Sequence, residues 1–227
     1  MRVIVLGSLA LLILVFGCST NERLMGVGAT RDSVADYTVT FASSWSSVTH
    51  PMEFPSGAHF SGLIGATHTD RVVFWREGQL ASPGIQAMAE LGSKTPLSDE
   101  IAAAVTAGTA RFVLSGAGVS PSPGQVSLDF SISDSHPLVS LVSMIAPSPD
   151  WFVGVADLPL LASGRWIDSL TVSLYGWDAG TDDGTTYLAP NAPATPHVPV
   201  FPLDDGLFKV NGTVPALGTY TFVRRRP

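Results

Sequence analysis

The stretch VSLDFSI at residues 126–132 alternates apolar and polar side chains without interruption. Successive side chains of a β-strand point to opposite faces, so this alternation predicts a strand with one buried and one solvent-facing side. The stretches YTVTF (37–41) and LTVSL (170–174) alternate in the same way. Shorter strands are predicted from apolar composition at 71–76, 111–115, 138–145, 152–155 and 219–223. Strands of this kind, separated by turn residues, predict a mainly β fold, an antiparallel β-sandwich.

Two short helices are predicted to connect the strands. In the first, Ser82 is a suitable N-cap before a proline at the first helical position, and Gly92 is a suitable stop. In the second, Ser98 is the expected cap, and two acidic residues follow it where the helix dipole favours them. The stretch 189–205 contains five prolines, so we expect an ordered but irregular crossover there.

The composition of the 227-residue chain fits a single domain of strands and turns. Hydrophobic residues make up 45% of it, which excludes a chain that is disordered throughout. Charged residues are only 14%, whereas glycine and proline number 22 and 17, a balance that disfavours a helical bundle. The formal net charge of −7 excludes a nucleic-acid-binding protein that relies on a basic surface. An acidic chain is compatible with the binding of a cation.

The N-terminus is predicted to be an export signal. A short basic start precedes the apolar stretch 3–17, which is too short to span a bilayer as a helix and is typical of a signal peptide. The sequence VFGC that ends at Cys18 resembles the lipobox of bacterial lipoproteins, in which the cysteine becomes the lipidated first residue. Phe16 departs from the small or β-branched residue usual there. An ordinary signal peptide followed by a coincidental cysteine is the alternative.

These features divide the chain into three parts. Residues 1–17 are predicted to be the lipoprotein signal peptide, 18–35 a polar tether and 36–227 the folded domain. Ser19 after the cysteine resembles the sorting signal of outer-membrane lipoproteins. We therefore expect an exported protein that a lipid on Cys18 anchors to the cell envelope, at the outer membrane. The single cysteine excludes an internal disulfide.

The sequence contains none of the common catalytic motifs. A nucleophile elbow, an HExxH zinc motif and a phosphate-binding P-loop are all missing. The five histidines show no metal-ligand spacing. Hydrogen bonding to loop backbone is the default interpretation of these histidines, and His59 and His68, nine residues apart, are the best candidates for a shared site.

The loop DAGTDDG at residues 178–184 is a candidate metal site. It places three carboxylates on a glycine-rich loop, and Ca²⁺ takes six to eight oxygen ligands in loose geometry. The loop is not an EF-hand, because Gly180 and Asp183 stand where a ligand and the turn glycine belong. By spacing alone, a solvated loop rich in Asx turns is an equally good interpretation.

Four longer stretches resemble one family. They are PSGAHFSGLIGATHTD (55–70), LASPGIQAMAELG (80–92), PLVSLVSMIAPSPDWFVGV (137–155) and LYGWDAGTDDGTTYLAPNAP (174–193). All are similar to the spondin N-terminal domain of extracellular matrix proteins, and the resemblance runs from about residue 36 to about 223. It implies a C2-like β-sandwich and a calcium site built from the SPDW and DAGTD loops.

The resemblance implies the ligands residue by residue. Asp150, Asp178 and Asp182 correspond to the calcium ligands, and Asp183 is the weaker fourth choice. Backbone carbonyls and water are expected to complete the Ca²⁺ shell. Since Asp150 and Asp178 each stand at a junction between strand and loop, adjacent strands would bring both to one end of the sandwich.

We therefore expect a calcium-binding, non-enzymatic lipoprotein of the envelope or cell surface that acts as an adhesion or partner-binding module. Its partner is expected to be a protein or matrix component rather than nucleic acid, and the protein is expected to be a monomer. It lacks the disulfide cysteines and thrombospondin-type repeats of animal members, which argues against their partners. One alternative is an envelope hydrolase that uses His59 or His68 near the calcium-binding end, and another is a purely structural envelope protein.

Overall fold

The computed structural model describes residues 33–226, and most of the regular structure in this range is β. The strands are β1 (Val34–Ser43), β2 (His59–Phe60), β3 (Ile64–His68), β4 (Ala110–Ser115), β5 (Gly124–Ser133), β6 (Leu138–Ala146), β7 (Trp151–Pro159), β8 (Leu161–Ala162), β9 (Arg165–Trp166), β10 (Ser169–Leu174), β11 (Trp177–Asp178), β12 (Phe201–Pro202) and β13 (Gly218–Arg225). The helices are α1 (Pro83–Leu91) and α2 (Leu97–Thr106), and a 3₁₀ turn spans Gly206–Phe208. The prediction of a mainly β chain with two connecting helices is confirmed.

Two antiparallel sheets of the described chain form the sandwich. The four-stranded sheet has the order β10-β13-β1-β5, and the seven-stranded sheet has the order β12-β11-β7-β6-β3-β4 with β2 also paired to β6. Strand β1 lies between β5 and β13, which come much later in the chain. The structure confirms seven of the eight predicted strands, within β1, β4, β5, β6, β7, β10 and β13.

The alternating residues of the sequence form the inner face of the sandwich. Tyr37, Val39 and Phe41 of β1 are fully buried, while the threonines between them face outward. Aromatic rings of the two sheets meet edge to face, and the ring of Phe41 lies 4.8 Å from that of Phe60. Complete burial of a side chain such as Phe41 stabilises a fold by about 1.5–3 kcal/mol, so this inner face holds the two sheets together.

Both helices cover the outer face of the seven-stranded sheet. Ile85 and Met88 of α1 and Leu97 and Ile101 of α2 are buried there in a second core. Strand β6 is therefore covered on both faces, and eight of its nine residues are buried. Double coverage explains why apolar residues occur on both faces of this strand instead of on alternate positions.

The helix caps agree with the sequence at α1 and differ at α2. The Ser82 hydroxyl accepts a backbone N–H of the first turn at 3.2 Å, and Gly92 adopts the left-handed conformation at the end of α1. The predicted Ser98 cap is wrong, because α2 already begins at Leu97 and Ser98 lies within its first turn. Leu97 is buried in the second core, and its packing brings it into the helix.

One predicted strand is wrong, and the real strands that escaped prediction are β3 and the two-residue strands β2, β8, β9, β11 and β12. Residues 71–76 are irregular, and Phe74 and Trp75 are apolar because they cover the second core. Strand β3 is buried at all five positions, so it shows no alternation of apolar and polar residues. Residues 189–205 are irregular as predicted, except for the two residues of β12.

The predicted signal peptide, Cys18 and most of the predicted tether lie outside the described residues. Strand β1 begins at Val34, so regular structure starts slightly before the predicted boundary at residue 36. No helix within residues 33–226 combines the length and apolar character needed to cross a bilayer.

Candidate metal centre

Strands β7 and β11 bring Asp150 and Asp178 to one end of the sandwich. Asp150 lies directly before β7, and Asp178 is the last residue of β11, which pairs antiparallel with β7 so that Asp178 lies opposite Trp151. The Ala179 N–H extends this pairing by donating to the Asp150 C=O at 3.1 Å. Both side chains are nearly inaccessible, with exposed fractions of 0% for Asp150 and 7% for Asp178. The prediction that adjacent strands bring these two residues together is confirmed.

The Asp150 carboxylate organises the acidic loop. Its Oδ2 accepts hydrogen bonds from the Thr181 N–H at 2.7 Å, the Thr181 hydroxyl at 3.1 Å and the Asp182 N–H at 3.1 Å. Its Oδ1 is buried and accepts no hydrogen bond. A buried carboxylate oxygen without a donor is costly, and an oxygen of this kind is a suitable ligand for a hard cation.

The other two carboxylates are held mainly by backbone amides. Asp178 accepts from the Gly180 N–H at 2.7 Å and from the Trp151 indole N–H at 3.0 Å. Asp182 accepts from the Gly184 N–H and the Ala192 N–H, both at 2.8 Å. These bonds fix the direction of each carboxylate before any ligand is bound.

Gly180 lets the loop fold back between Asp178 and Asp182. Its φ of +72° lies in the left-handed region that glycine favours. A Cβ at this position would lie 2.1 Å from the Val198 C=O, so a larger residue would displace the crossing chain. The Val198 N–H donates to the Gly180 C=O at 2.9 Å, which ties the acidic loop to the proline-rich crossover.

The carboxylates lie where negative charge is poorly solvated. Burial raises the pKa of Asp150, against the hydrogen bonds from Thr181 and Asp182, and the charge of Asp182 raises it further. Burial and then the neighbouring charge of Asp150 raise the pKa of Asp178 to about 7. The ion pairs formed within residues 33–226 include none with these three aspartates.

The fit to a cation rests mainly on Asp150 and Asp178. Over residues 33–226, the structure contains no ready-made cluster of three His, Cys, Asp or Glu side chains that converge as metal ligands. It places the Asp150 and Asp178 carboxylates side by side and directs Asp182 toward amides of its own loop and the crossover. A cavity of about 190 Å³ opens at Asp178, Asp182 and Asp183. The donor set and the unpaired Asp150 Oδ1 fit an oxygen-seeking divalent ion.

The two candidate histidines do not form a shared site. His59 pairs with Ala146 at one end of β6, and His68 pairs with Leu138 at the other, about 27 Å away at strand spacing. His68 is buried between the Thr69 C=O and the Ser140 hydroxyl, each 2.8 Å from a ring nitrogen. Nδ1 of His59 lies 2.7 Å from the Gly57 C=O, which is the backbone contact of the default interpretation.

Sequence reasoning missed the residues that support the aspartates. Trp151 orients Asp178 through its indole, and its position directly after Asp150 was the available signal. Thr181 contributes both its N–H and its hydroxyl to Asp150. The Ala192 amide gave no signal, because any residue except proline carries the same backbone donor.

A family model described as Spondin_N matches residues 35–207, which include all the candidate aspartates. Spondin-2 of Rattus norvegicus is 33% identical over 229 residues, which cover 95% of this chain and 69% of the relative. Spondin-2 of Homo sapiens is 38% identical over 73% of this chain and 51% of its own length. Spondin-1 of Mus musculus is 37% identical over 74% of this chain, but the match spans only 22% of that relative.

Proposed function

This chain belongs to the Spondin_N family, and from that premise we propose that it is a calcium-stabilised, non-enzymatic surface module that binds a protein or matrix partner. Asp150, Asp178 and Asp182 hold the ion in this proposal, and Asp183 lines the cavity beside Asp178 and Asp182. The observation that carries the proposal is the buried, unpaired Oδ1 of Asp150 beside the Asp178 carboxylate.

The chain prepares this position without contributing positive charge of its own. Amides of Thr181, Asp182 and Gly180 and the Trp151 indole orient the carboxylates. Bound Ca²⁺ would supply the countercharge that these buried acids lack, and it accepts irregular oxygen geometry. Because β7, β11 and the proline-rich crossover meet here, the ion would fasten three segments of chain that are distant in sequence.

The calcium part is tested by differential scanning calorimetry of the protein with Ca²⁺, with Mg²⁺ and with chelator. Ligand at a hundredfold excess over its Kd stabilises the native state by roughly 2.7 kcal/mol, which raises the Tm of a domain of this size by about 5–10 °C. Mg²⁺ is expected to do much less, because it demands octahedral geometry and loses water reluctantly.

The matched variants for this test are Asp178→Ala and Asp129→Ala. Asp178→Ala is expected to abolish most of the calcium effect. Asp129 stands on the outer face of β5 with a side chain that is 58% exposed, so its loss is expected to leave the effect intact. Equal Tm values in Ca²⁺ and chelator would contradict the metal site and leave a solvated, amide-braced loop.

The location of the module is proposed from the N-terminal sequence. A signal peptide at 1–17 and a lipid on Cys18 would anchor the domain to the envelope at the outer membrane. Metabolic labelling with a palmitate analogue is expected to tag the wild-type protein and to be lost in Cys18→Ser. An unlabelled, freely released wild-type protein would contradict the lipid anchor and indicate plain secretion.

A further inference from the structure

Strand β10 has an unprotected edge. It ends the four-stranded sheet, and among residues 33–226 only β13 pairs with it. Its sequence SLTVSL contains no charge and no proline, and its register against β13 has no bulge. Proteins commonly use these three devices to protect a strand edge. Other sheet edges have them, since β4 carries Arg111, β5 carries Asp129 and β12 contains Pro202.

The backbone groups that face this open edge follow from the register. The Arg224 N–H donates to the C=O of Asp168, directly before β10, at 2.9 Å. Bonding direction alternates along an antiparallel strand, so the even-numbered residues of β10 bond toward β13. The groups that point away from the sheet belong to Ser169, Thr171 and Ser173. They present N–H and C=O dipoles, which form a row of alternating positive and negative partial charge.

A groove of about 340 Å³ runs beside this edge, between the two sheets. Val172 and Ser173 of β10 line one wall, and β7 forms the other. The side chains of Trp75 and Arg76 lie over β7 and donate hydrogen bonds to it. Tyr175, which is 46% exposed, lies where the chain crosses from one sheet to the other. The groove therefore combines an open backbone edge with aromatic side chains.

We propose that β10 and this groove bind an extended peptide segment of a partner protein, which adds a strand to the four-stranded sheet. A peptide backbone is the partner whose own dipoles complement the row at Ser169, Thr171 and Ser173. Every second side chain of the added strand points toward the groove, where the aromatic rings suit an apolar or aromatic side chain. The inference rests on the partner-binding part of the proposed function and does not require the metal.

The probe is a synthetic peptide with the sequence of β13, GTYTFVRR. Strand β13 already pairs antiparallel with β10 from the opposite side, and its Tyr220 and Phe222 lie on the inner face of the sheet. Titration into the ¹⁵N-labelled full chain is expected to shift the amides of Thr171 and Ser173 and the indole signals of Trp75 and Trp177, which both line the groove. Two control peptides are expected to bind at least about tenfold more weakly: one N-methylated at alternate residues, and one carrying Tyr220→Ser and Phe222→Ser.

Protein variants separate the backbone edge from the groove. Thr171→Pro removes an outward-facing N–H and spares the backbone bonds to β13, although it removes the hydroxyl that contacts Thr221, so about a tenfold loss of affinity is expected. Tyr175→Ala keeps the backbone and removes one groove ring, with a loss of about fivefold expected. Leu188, which is 77% exposed and does not line the groove, provides the matched control Leu188→Ala with unchanged affinity. If Thr171→Pro does not fold, the N-methylated peptide still tests the backbone.

Several results would overturn the inference. The first is an absence of shifts on β10 at millimolar peptide, and the second is equal binding of the N-methylated peptide. The third uses the oligosaccharide maltotetraose as a carbohydrate probe: groove shifts caused by this sugar but not by peptide would assign the groove to a carbohydrate. Dimerisation of the chain through β10, seen by sedimentation and abolished by Thr171→Pro, would assign the edge to a second copy instead. The titration is run with Ca²⁺ and with chelator. Peptide binding in both would support this inference even if calorimetry rejects the metal site.

Discussion

Strand β7 has an aspartate near each end, and the surroundings of the two aspartates differ in charge. At its start, Asp150 lies beside Asp178, and neither takes part in an ion pair within residues 33–226. Near its end, the Asp157 carboxylate is 2.5 Å from the Arg76 guanidinium and 3.8 Å from Nε2 of His68. Each aspartate has one buried oxygen, Oδ1, that accepts no hydrogen bond.

The difference shows at which end of β7 the domain itself supplies positive charge to a carboxylate. At the Asp157 end, a side chain of the same domain compensates the negative charge, so no external ion is needed. At the Asp150 end, amides and one indole orient the carboxylates but leave their charge uncompensated. A cation from solution is therefore useful only at the start of β7.

The largest effect is expected from Asp150→Ala. The variant leaves the Thr181 N–H, the Thr181 hydroxyl and the Asp182 N–H without their acceptor. Unsatisfied buried donors cost about 1–3 kcal/mol each, so we expect the free energy of unfolding to fall by about 3–5 kcal/mol. Denaturant unfolding in chelator measures this loss without any contribution from a metal.

The matched control is Asp150→Asn, which keeps one acceptor oxygen, removes the charge and replaces the other oxygen by an NH2 group. It is expected to retain most of the stability in chelator. If the alanine and asparagine variants are equally stable, the Asp150 end does not depend on these hydrogen bonds, and the contrast between the two ends of β7 fails.

An intermediate effect is expected from pH at the other end of β7. Burial lowers the pKa of His68 below 6.5, against the Thr69 C=O and Asp157, and His136 lowers it further. As the pH falls, His68 therefore binds a proton in the unfolded chain at a higher pH than it does in the folded one. The free energy of unfolding consequently decreases as the pH falls below about 6.5. The slope is at most about 1.4 kcal/mol per pH unit and ends at the folded pKa.

His68→Gln removes this titration, so the difference between the wild type and this variant reports the contribution of His68 alone. The free energy of unfolding of the wild type, measured relative to that of His68→Gln, is expected to be constant above pH 7 and to fall on acidification. A difference that does not change with pH would mean that His68 is protonated equally in both states.

The smallest effect is expected from Arg76→Ala. The Arg76 side chain is 53% exposed, and exposed ion pairs contribute roughly 0–1 kcal/mol. We expect a loss of less than about 1 kcal/mol in the free energy of unfolding, which shrinks further at high salt. A loss as large as that of Asp150→Ala would show that the Asp157 end depends on its ion pair more than its exposure suggests.

Alternation of apolar and polar residues predicted the strands that have one solvent-exposed face. Residues 126–132 alternate because β5 is solvated on one side, whereas β3 is covered on both sides and carries no alternation. Apolar composition alone misled at 71–76, where Phe74 and Trp75 cover a core without joining a sheet. Local sequence patterns indicate which side chains are exposed to solvent. They indicate a paired strand only where the exposed and buried side chains alternate along it.

At the candidate site, the resemblance located the aspartates but not the contacts that orient them. Asp150 and Asp178 were predicted together because each borders a strand, and β7 and β11 do pair. His59 and His68 do not share a site, because they pair with opposite ends of β6 although they are only nine residues apart in sequence. Backbone donors such as the Ala192 amide depend on how the chain crosses over, which no side-chain pattern encodes.

The place of β1 between β5 and β13 sets the order in which the domain can be completed. Asp36 pairs with Arg225, so nearly all of the described chain separates these two partners. A chain that is synthesised from its N-terminus presents an open edge of β1 long before β13 exists to pair with it. Contacts between such distant segments form slowly, because a long loop must close first. Until β13 completes the sheet, β1 with its apolar residues Tyr37, Val39 and Phe41 is a natural target for holding chaperones.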